Sequence, residues 1–288
     1  MNDIGSLQLL LFFIHLFPLK NDFSIKRREV RGMIDLNCKI LPGTGEGPES
    51  MHGSLAMAQK AAEQGVETIV AAPRFQPERN PREVKNQCEE LNRELFEQGI
   101  EVNILPGHEV KIYGELVDDL KNGYIIPMNE KTPYIYVVFS NKDIPHYAKQ
   151  VLYDMQMEGF IPVIVHPEQN QVFQQQPDLL YQFVKNGAVT QISAASLANK
   201  QGKPSQKLAL QMIRHNLAHV VASHAVDDKK KGSFLRQAYD KIQKTFGSDV
   251  MYQFMENAHV LLDGEMVYTD PPERMKTKKT LGIFPFQS

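Results

Sequence analysis

The chain has 288 residues, 42% of them apolar and 23% charged, and carries a formal net charge of -2. That length fits one α/β barrel or two smaller domains, and the near-balanced charge excludes binding to nucleic acid or to an anionic membrane driven by bulk electrostatics. Two cysteines, Cys38 and Cys88, cannot make a disulfide framework and suit a reducing cytoplasm.

Residues 1–32 stand apart. Their apolar run, LQLLLFFIHLF, is too short to span a bilayer. Asp3 precedes it with no Lys or Arg, and Lys20, Lys26, Arg27 and Arg28 follow it where a cleavage site would stand. A membrane or partner anchor and a poor export signal compete with a third reading, which is the expectation here: sequence upstream of a true start at Met33, where the first credible strand begins.

From Met33, apolar Ile34 and Leu36 lead into a polar strand end, which breaks at Pro42 and Gly43 into a glycine-rich loop. Asn37 and Lys39 lie two residues apart and so are expected on one face of that strand. Periodicity and end signals then predict helices over 49–65, 81–98, 114–122, 145–158, 177–186, 205–216, 234–246 and 249–261. Strands are predicted over 67–72, 101–105, 134–139, 161–165, 188–192 and 218–222. About seven buried strands, each followed by a helix, predict a parallel sheet closed as a single-domain barrel over 33–270. The tail, 271–288, is basic and then apolar; it reads as a frayed end or as a docking segment for a partner or a second subunit.

The C-terminal strand ends are where such a barrel keeps its chemistry. They carry Asn37 and Lys39, Arg74, His108 and Glu109, Val138, His166 and Glu168, and His224. Glu109 and His166 have the donor chemistry for a divalent metal. Each alone has a plain reading, a solvated turn carboxylate and a strand-capping imidazole; convergence from different strands argues for a site. Other chemistries lack their motifs. Cys38 has no arginine at phosphate-loop spacing, Arg93 falls one residue short of a Cys-x5-Arg loop from Cys88, and no nucleophile elbow, Walker loop or dinucleotide fingerprint occurs. Lys229–Lys231 reads as a solvated loop, and Tyr136, Tyr147 and Tyr153 as wall and packing residues.

The stretches MID-x-x-C-x-ILPG, SLAMAQKAAEQGVETIVAAP, ILPGHEVKIYGEL, GFIPVIVHPEQN and HVVASHA resemble the manganese-dependent bacterial tyrosine phosphatases of the PHP (polymerase and histidinol phosphatase) superfamily. That family is linked to capsule and exopolysaccharide synthesis and acts on a partner tyrosine kinase. The resemblance covers nearly the whole chain after residue 32. It implies a distorted (β/α)7 barrel, a Mn2+ cluster held by His, Asp and Glu, and phosphotyrosine hydrolysis by metal-bound water. Laid on this chain, the family pattern keeps Glu109 and His166. It is substituted at Asn37, Lys39, Gly45, Glu46, Arg74, Val138, Gln169 and Val226, and His224 replaces an aspartate.

Lys39 and Arg74 place cations where the relatives hold metal ions, so the expectation is severely reduced turnover. The chain would then bind phosphate or phosphotyrosine through Lys39 and Arg74 as a pseudophosphatase, on a bacterial tyrosine kinase or its phosphotyrosine-rich tail, or modulate an active paralogue. The alternatives are a single metal at Glu109, His166 and His224 with residual activity, a small-molecule phosphatase of the same superfamily, and a gene copy with no selected ligand. A homo-oligomer is a further expectation, as is a cytoplasmic protein that meets membrane only through a partner or through residues 1–32.

Overall fold

In the computed structural model, residues 32–227, 233–267 and 269–275 are described, all within one unit, Gly32–Ser288. The expectations for residues 1–31, for Lys229–Lys231 and for the end of the tail lie outside the described residues. No helix among the described residues is long and apolar enough to cross a membrane.

Eight parallel strand segments form two sheets. β1 (Met33–Cys38), β2 (Val66–Ala71) and β3 (Asn103–Pro106) pair in that order; β4 (Glu109–Lys111), β5 (Tyr134–Val138), β6 (Ile161–Val165), β7 (Val189–Ser193) and β8 (Val220–Ala222) pair in theirs. The sheets meet at both edges. Beyond β2, Arg74 bridges to Glu109 in parallel fashion, and the Phe75 and Glu109 amides donate to Glu109 O and Pro73 O at 2.9 and 3.0 Å. At the other edge the Lys39 amide donates to Ala225 O and the His224 amide to Asn37 O, each at 2.9 Å. β3 and β4 are thus one interrupted stave, and the result is the expected distorted seven-stave barrel.

The strand alternation sorts side chains into two layers. Ile34, Leu36, Val70, Tyr134, Tyr136, Val138, Val163, Val165, Val189 and Val220 fill the barrel interior. Ile69, Ile104, Ile135, Val137, Ile164, Ile192 and Val221 face outward to the helices. Those helices are α1 (Met51–Glu63), α2 (Pro81–Glu97), α3 (Leu116–Lys121), α4 (Ala148–Met157), α5 (Gln171–Gln175), α6 (Pro177–Lys185), α7 (Ala194–Leu197), α8 (Lys203–Arg214), α9 (Leu235–Phe246) and α10 (Ser248–Leu262). α2 shows how they form: the Asn80 side chain caps it by accepting from Arg82 N at 2.9 Å, Pro81 starts it, and Val84, Cys88, Leu91 and Leu95 bury one stripe. Ala258 and Leu261 of α10 join the interior cluster, and the Tyr134 hydroxyl donates to Glu265 O at 2.6 Å, so α10 closes the end of the barrel where the strands begin.

Several expectations need correction. The strand expected over 101–105 spans Asn103–Pro106, and the segment Glu109–Lys111 that continues its stave was not expected; at Gly107 between them a Cβ would meet Val70 at 3.2 Å. The helix expected from Pro145 starts at Ala148; Pro145 instead supplies a turn carbonyl that accepts from Ala148 N at 2.9 Å. The turn of 3-10 helix Pro167–Gln169 and the short α5 and α7 follow β6 and β7 directly and were not expected. Tyr136 is fully buried as anticipated, but Tyr147 and Tyr153 are exposed on α4 and its N-terminal edge rather than packed. The tail from residue 271 is held against the barrel over its described part. Arg274 pairs with Asp178 and lies over the Tyr181 ring, Glu273 N donates to His215 O at 2.9 Å, and Met275 is buried.

Candidate functional site at the strand ends

The site begins with an irregularity in β1. Ile34 and Leu36 point into the barrel, so strict alternation would send Asn37 outward. A register shift between Asp35 and Cys38 intervenes. Cys38 joins the outer layer, while the Asn37 amide reaches the interior groups Glu109 Oε2 at 3.1 Å and Gln191 Oε1 at 3.3 Å. Bulges re-aim side chains in this way, and here the bulge delivers both Asn37 and Lys39 to the mouth.

Glu109 is the hub. Its carboxylate is buried, with Lys39 Nζ 3.0 Å from Oε2, Arg74 Nη2 3.8 Å from Oε1 and His224 Nδ1 4.0 Å from Oε2. Burial alone would raise this carboxyl, but Lys39, followed by His166 and His224, outweighs it and holds the group at about 2. Lys39 is itself buried and also donates to Ala72 O. A second carboxylate comes from the glycine-rich loop: Glu46 Oε1 lies 2.8 Å from Arg74 Nη2, and Glu46 Oε2 lies 3.9 Å from Lys39 Nζ. Two cations therefore face two carboxylates.

The far wall holds the histidines. The His166 and His224 rings lie 5.2 Å apart, edge to face. Burial is the main force lowering both, His224 to about 3, so both are neutral imidazoles near pH 7. Each has a positive φ, 39° and 50°, a left-handed conformation costly for a non-glycine residue and common at functional sites. Gln191 completes the floor. Asn37 Oδ1, Gln191 Nε2 and His224 Nε2 are buried with no hydrogen-bond partner among the described residues.

The structure brings Asn37, Lys39, Arg74, Glu109, His166 and His224 together, and Val138 sits buried at its strand end. Four others lie elsewhere. His108 turns away, its Nδ1 accepting from Ile126 N at 3.0 Å. Glu168 is a buried brace whose Oε1 accepts from Ser193 N at 3.0 Å, and Gln169 donates to Ser196 Oγ at 3.3 Å. Val226 follows the β1–β8 seam. Gln191 and Asp35 were missed. The run VTQIS with a polar residue in a buried strand was the available signal for Gln191; Asp35 gave none beyond its charge inside an apolar strand.

These donors do not fit a cluster of divalent ions. Glu109 Oε2 is already taken by Lys39 and Asn37, and an ammonium cannot sit beside an ion on the same oxygen without repulsion of several kcal/mol (~4 kcal/mol at 4 Å and an effective dielectric near 20, doubled for a dication). Among the described residues no group of three or more His, Cys, Asp or Glu side chains could hold a metal ion. A cavity of about 80 Å³ beside Asp35 and Cys38 and an open groove of about 700 Å³ between α4 and α6 both lie off this mouth.

A model of the CpsB/CapC family, described as capsular polysaccharide synthesis, matches residues 33–263. The chain belongs to the CpsB/CapC family. Among CpsB/CapC relatives, tyrosine-protein phosphatase YwqE of Bacillus subtilis (strain 168) is 37% identical over 88% of this chain and all of its own length. Putative tyrosine-protein phosphatase CapC of Staphylococcus aureus is 30% identical over 87% of this chain and all of its own. Crystal structures of YwqE from Bacillus subtilis and CpsB from Streptococcus pneumoniae are described as unique metal-dependent tyrosine phosphatases; one of these matches with a TM-score of 0.83 at 37% identity, over 85% of this chain and all of the other. A phosphotriesterase homology protein from Escherichia coli, 11% identical with a TM-score of 0.53 over 81% of this chain and 99% of its own, shares the fold alone.

Proposed function

We propose that this CpsB/CapC protein is a phosphotyrosine receptor in capsular polysaccharide synthesis, a pseudophosphatase that holds the phosphoryl group its relatives' names say they remove. The observation that carries this reading is the Lys39 ammonium 3.0 Å from Glu109, with the Arg74 guanidinium on the same carboxylate's other oxygen. Fixed cations stand where metal-dependent catalysis needs bound cations. Without a resident Lewis acid no water is ionised near neutral pH, and burial outweighs the Glu109 carboxylate at both histidines and keeps them weak bases. What is left is recognition. Arg74 presents a fork suited to phosphate oxygens, Lys39 a point charge, and Gln191 offers a buried amide N–H with unused bonding capacity.

The partner this chemistry fits is a tyrosine-phosphorylated protein, such as a bacterial tyrosine kinase with a phosphotyrosine-rich tail. The test combines three measurements on one preparation purified without chelator: transition-metal content, hydrolysis of a phosphotyrosine peptide with added Mn2+, and binding of that peptide by calorimetry. The expected outcome is no stoichiometric metal, no family-like turnover, and binding that Arg74→Ala and Lys39→Ala weaken. Stoichiometric manganese with turnover would overturn the reading. So would peptide binding that neither substitution alters. Faster hydrolysis of small phosphate esters than of the peptide would move the assignment to a small-molecule phosphatase.

A further inference from the structure

The two cations at the mouth already hold an anion of the protein's own. Glu46 spans them, one oxygen 2.8 Å from Arg74 Nη2 and the other 3.9 Å from Lys39 Nζ, as a phosphoryl group bound there would. Glu109 touches the same pair, but the two carboxylates differ in kind. The Glu109 side chain is 3% exposed and bonded by Asn37 from below; the Glu46 side chain is 38% exposed and approaches from the solvent side. Glu109 is a permanent counter-ion, and Glu46 is exchangeable.

The loop carrying Glu46 is built to present it. Gly43 N donates to Pro48 O at 2.9 Å, which closes the loop at its base. Thr44 Oγ1 donates to Leu41 O at 3.0 Å. At Gly47 a Cβ would meet the Lys39 carbonyl oxygen at 2.2 Å, so the backbone lies directly on the end of β1. Gly45, φ +92°, faces open space. The backbone is pinned on both sides of Glu46, and a side-chain rotation alone can empty the position.

Resting on the phosphotyrosine-receptor reading, we propose that Glu46 is a built-in competitor for the phosphate position and restricts this mouth to dianionic phosphomonoesters. With Glu46 in place the cations and carboxylates balance. A monoanionic ligand would only exchange one negative charge for another, against a competitor tethered a few ångströms away at high effective concentration. A phosphomonoester carries -1.5 to -2 at pH 7 with a pKa near 6, and so gains attraction that the carboxylate cannot match. Below that pKa the advantage disappears.

Calorimetry with matched phosphotyrosine and sulfotyrosine peptides at pH 7.5 tests this on the full chain and on Glu46→Gln, which removes the charge, keeps the shape and sits on the surface; thermal melts establish that both are folded. The parent is expected to bind the phosphotyrosine peptide and not the sulfated one. Glu46→Gln is expected to bind both, with a gain of tenfold or more for each, and Arg74→Gln in the Glu46→Gln background to abolish both. If the parent binds phosphotyrosine and Glu46→Gln binds neither peptide more tightly, Glu46 is no competitor; this proposal falls and the receptor reading stands. If parent and Glu46→Gln both fail to bind either peptide, the receptor reading falls and takes this one with it.

Discussion

Glu109 is the residue on which the mouth depends, because a buried carboxylate is tolerated only while its partners stay. Its folded-state value of about 2 lies below the ordinary 4.5. The stabilisation it reports is therefore present above pH ~4.5 and is lost as pH falls toward 2. Lys39 is the first partner to test. Lys39→Met keeps the aliphatic bulk but strands Glu109 with Arg74 at 3.8 Å and one amide. The expected cost at pH 7 is about 3–5 kcal/mol, the usual penalty for breaking a buried pair from one side, read as the shift in urea midpoint at unchanged m-value. That cost should shrink below pH ~4.5, where the pair contributes less to the parent. A loss under about 1 kcal/mol, or one flat with pH, would mean the pair is solvated and not the buried contact described above.

At the scale of elements, the barrel closes through Asp35. Its Oδ1 accepts from Ser223 N at 2.9 Å and so ties β1 to the end of β8 beside the two backbone bonds of that seam. Burial, opposed by its Ser223 bonds, raises this carboxyl from 3.8 to about 6. The sign is opposite to that of Glu109: the protonated form suits the fold, so this contribution is present below pH ~4 and is lost as pH rises through 6. Asp35→Asn keeps an acceptor without the charge and should gain on the parent by up to about 3 kcal/mol between pH 4 and 7, whereas Asp35→Ala should lose about 1.5–3 kcal/mol by orphaning the Ser223 amide. Parallel urea titrations at pH 4.5 and 7.5 distinguish the two. The staves and most helices of this seam and its neighbours were legible in the sequence, since β-branched runs and amphipathic stripes act locally. α7 was not, because Ala194–Leu197 is too short to show a period. The inward turn of Asn37 was legible only as a pairing with Lys39; the bulge that produces it is set by β2 and β8 across the sheet. Gln191 showed only as a polar residue in a buried strand, which does not announce which face is the mouth, and the reach of Glu46 to Arg74 depends on where Gly47 rests.

For the whole molecule, the question is whether a metal contributes to the stability of this barrel as a ligand of the folded state must. Any ion that binds only the native chain stabilises it by RT ln(1 + [L]/Kd), about 4 kcal/mol at a thousandfold excess over Kd. In a domain of this size each kcal/mol moves the melting temperature by roughly 2–4 °C, so a resident manganese cluster of micromolar affinity would raise it by on the order of ten degrees in millimolar Mn2+. Here the charge that such a cluster would offset is already met by Lys39 and Arg74. The expectation is a melting temperature unchanged within about 1 °C across millimolar Mn2+, no addition and millimolar EDTA, scanned by circular dichroism at fixed pH and ionic strength. Lys39→Met serves as the internal comparison, since it removes the ammonium and leaves Glu109, His166 and His224 in place. If the parent melts several degrees lower in EDTA, a metal is part of the native fold and the ammonium does not exclude it. If only Lys39→Met responds to Mn2+, the lysine is what keeps the ion away from Glu109, His166 and His224.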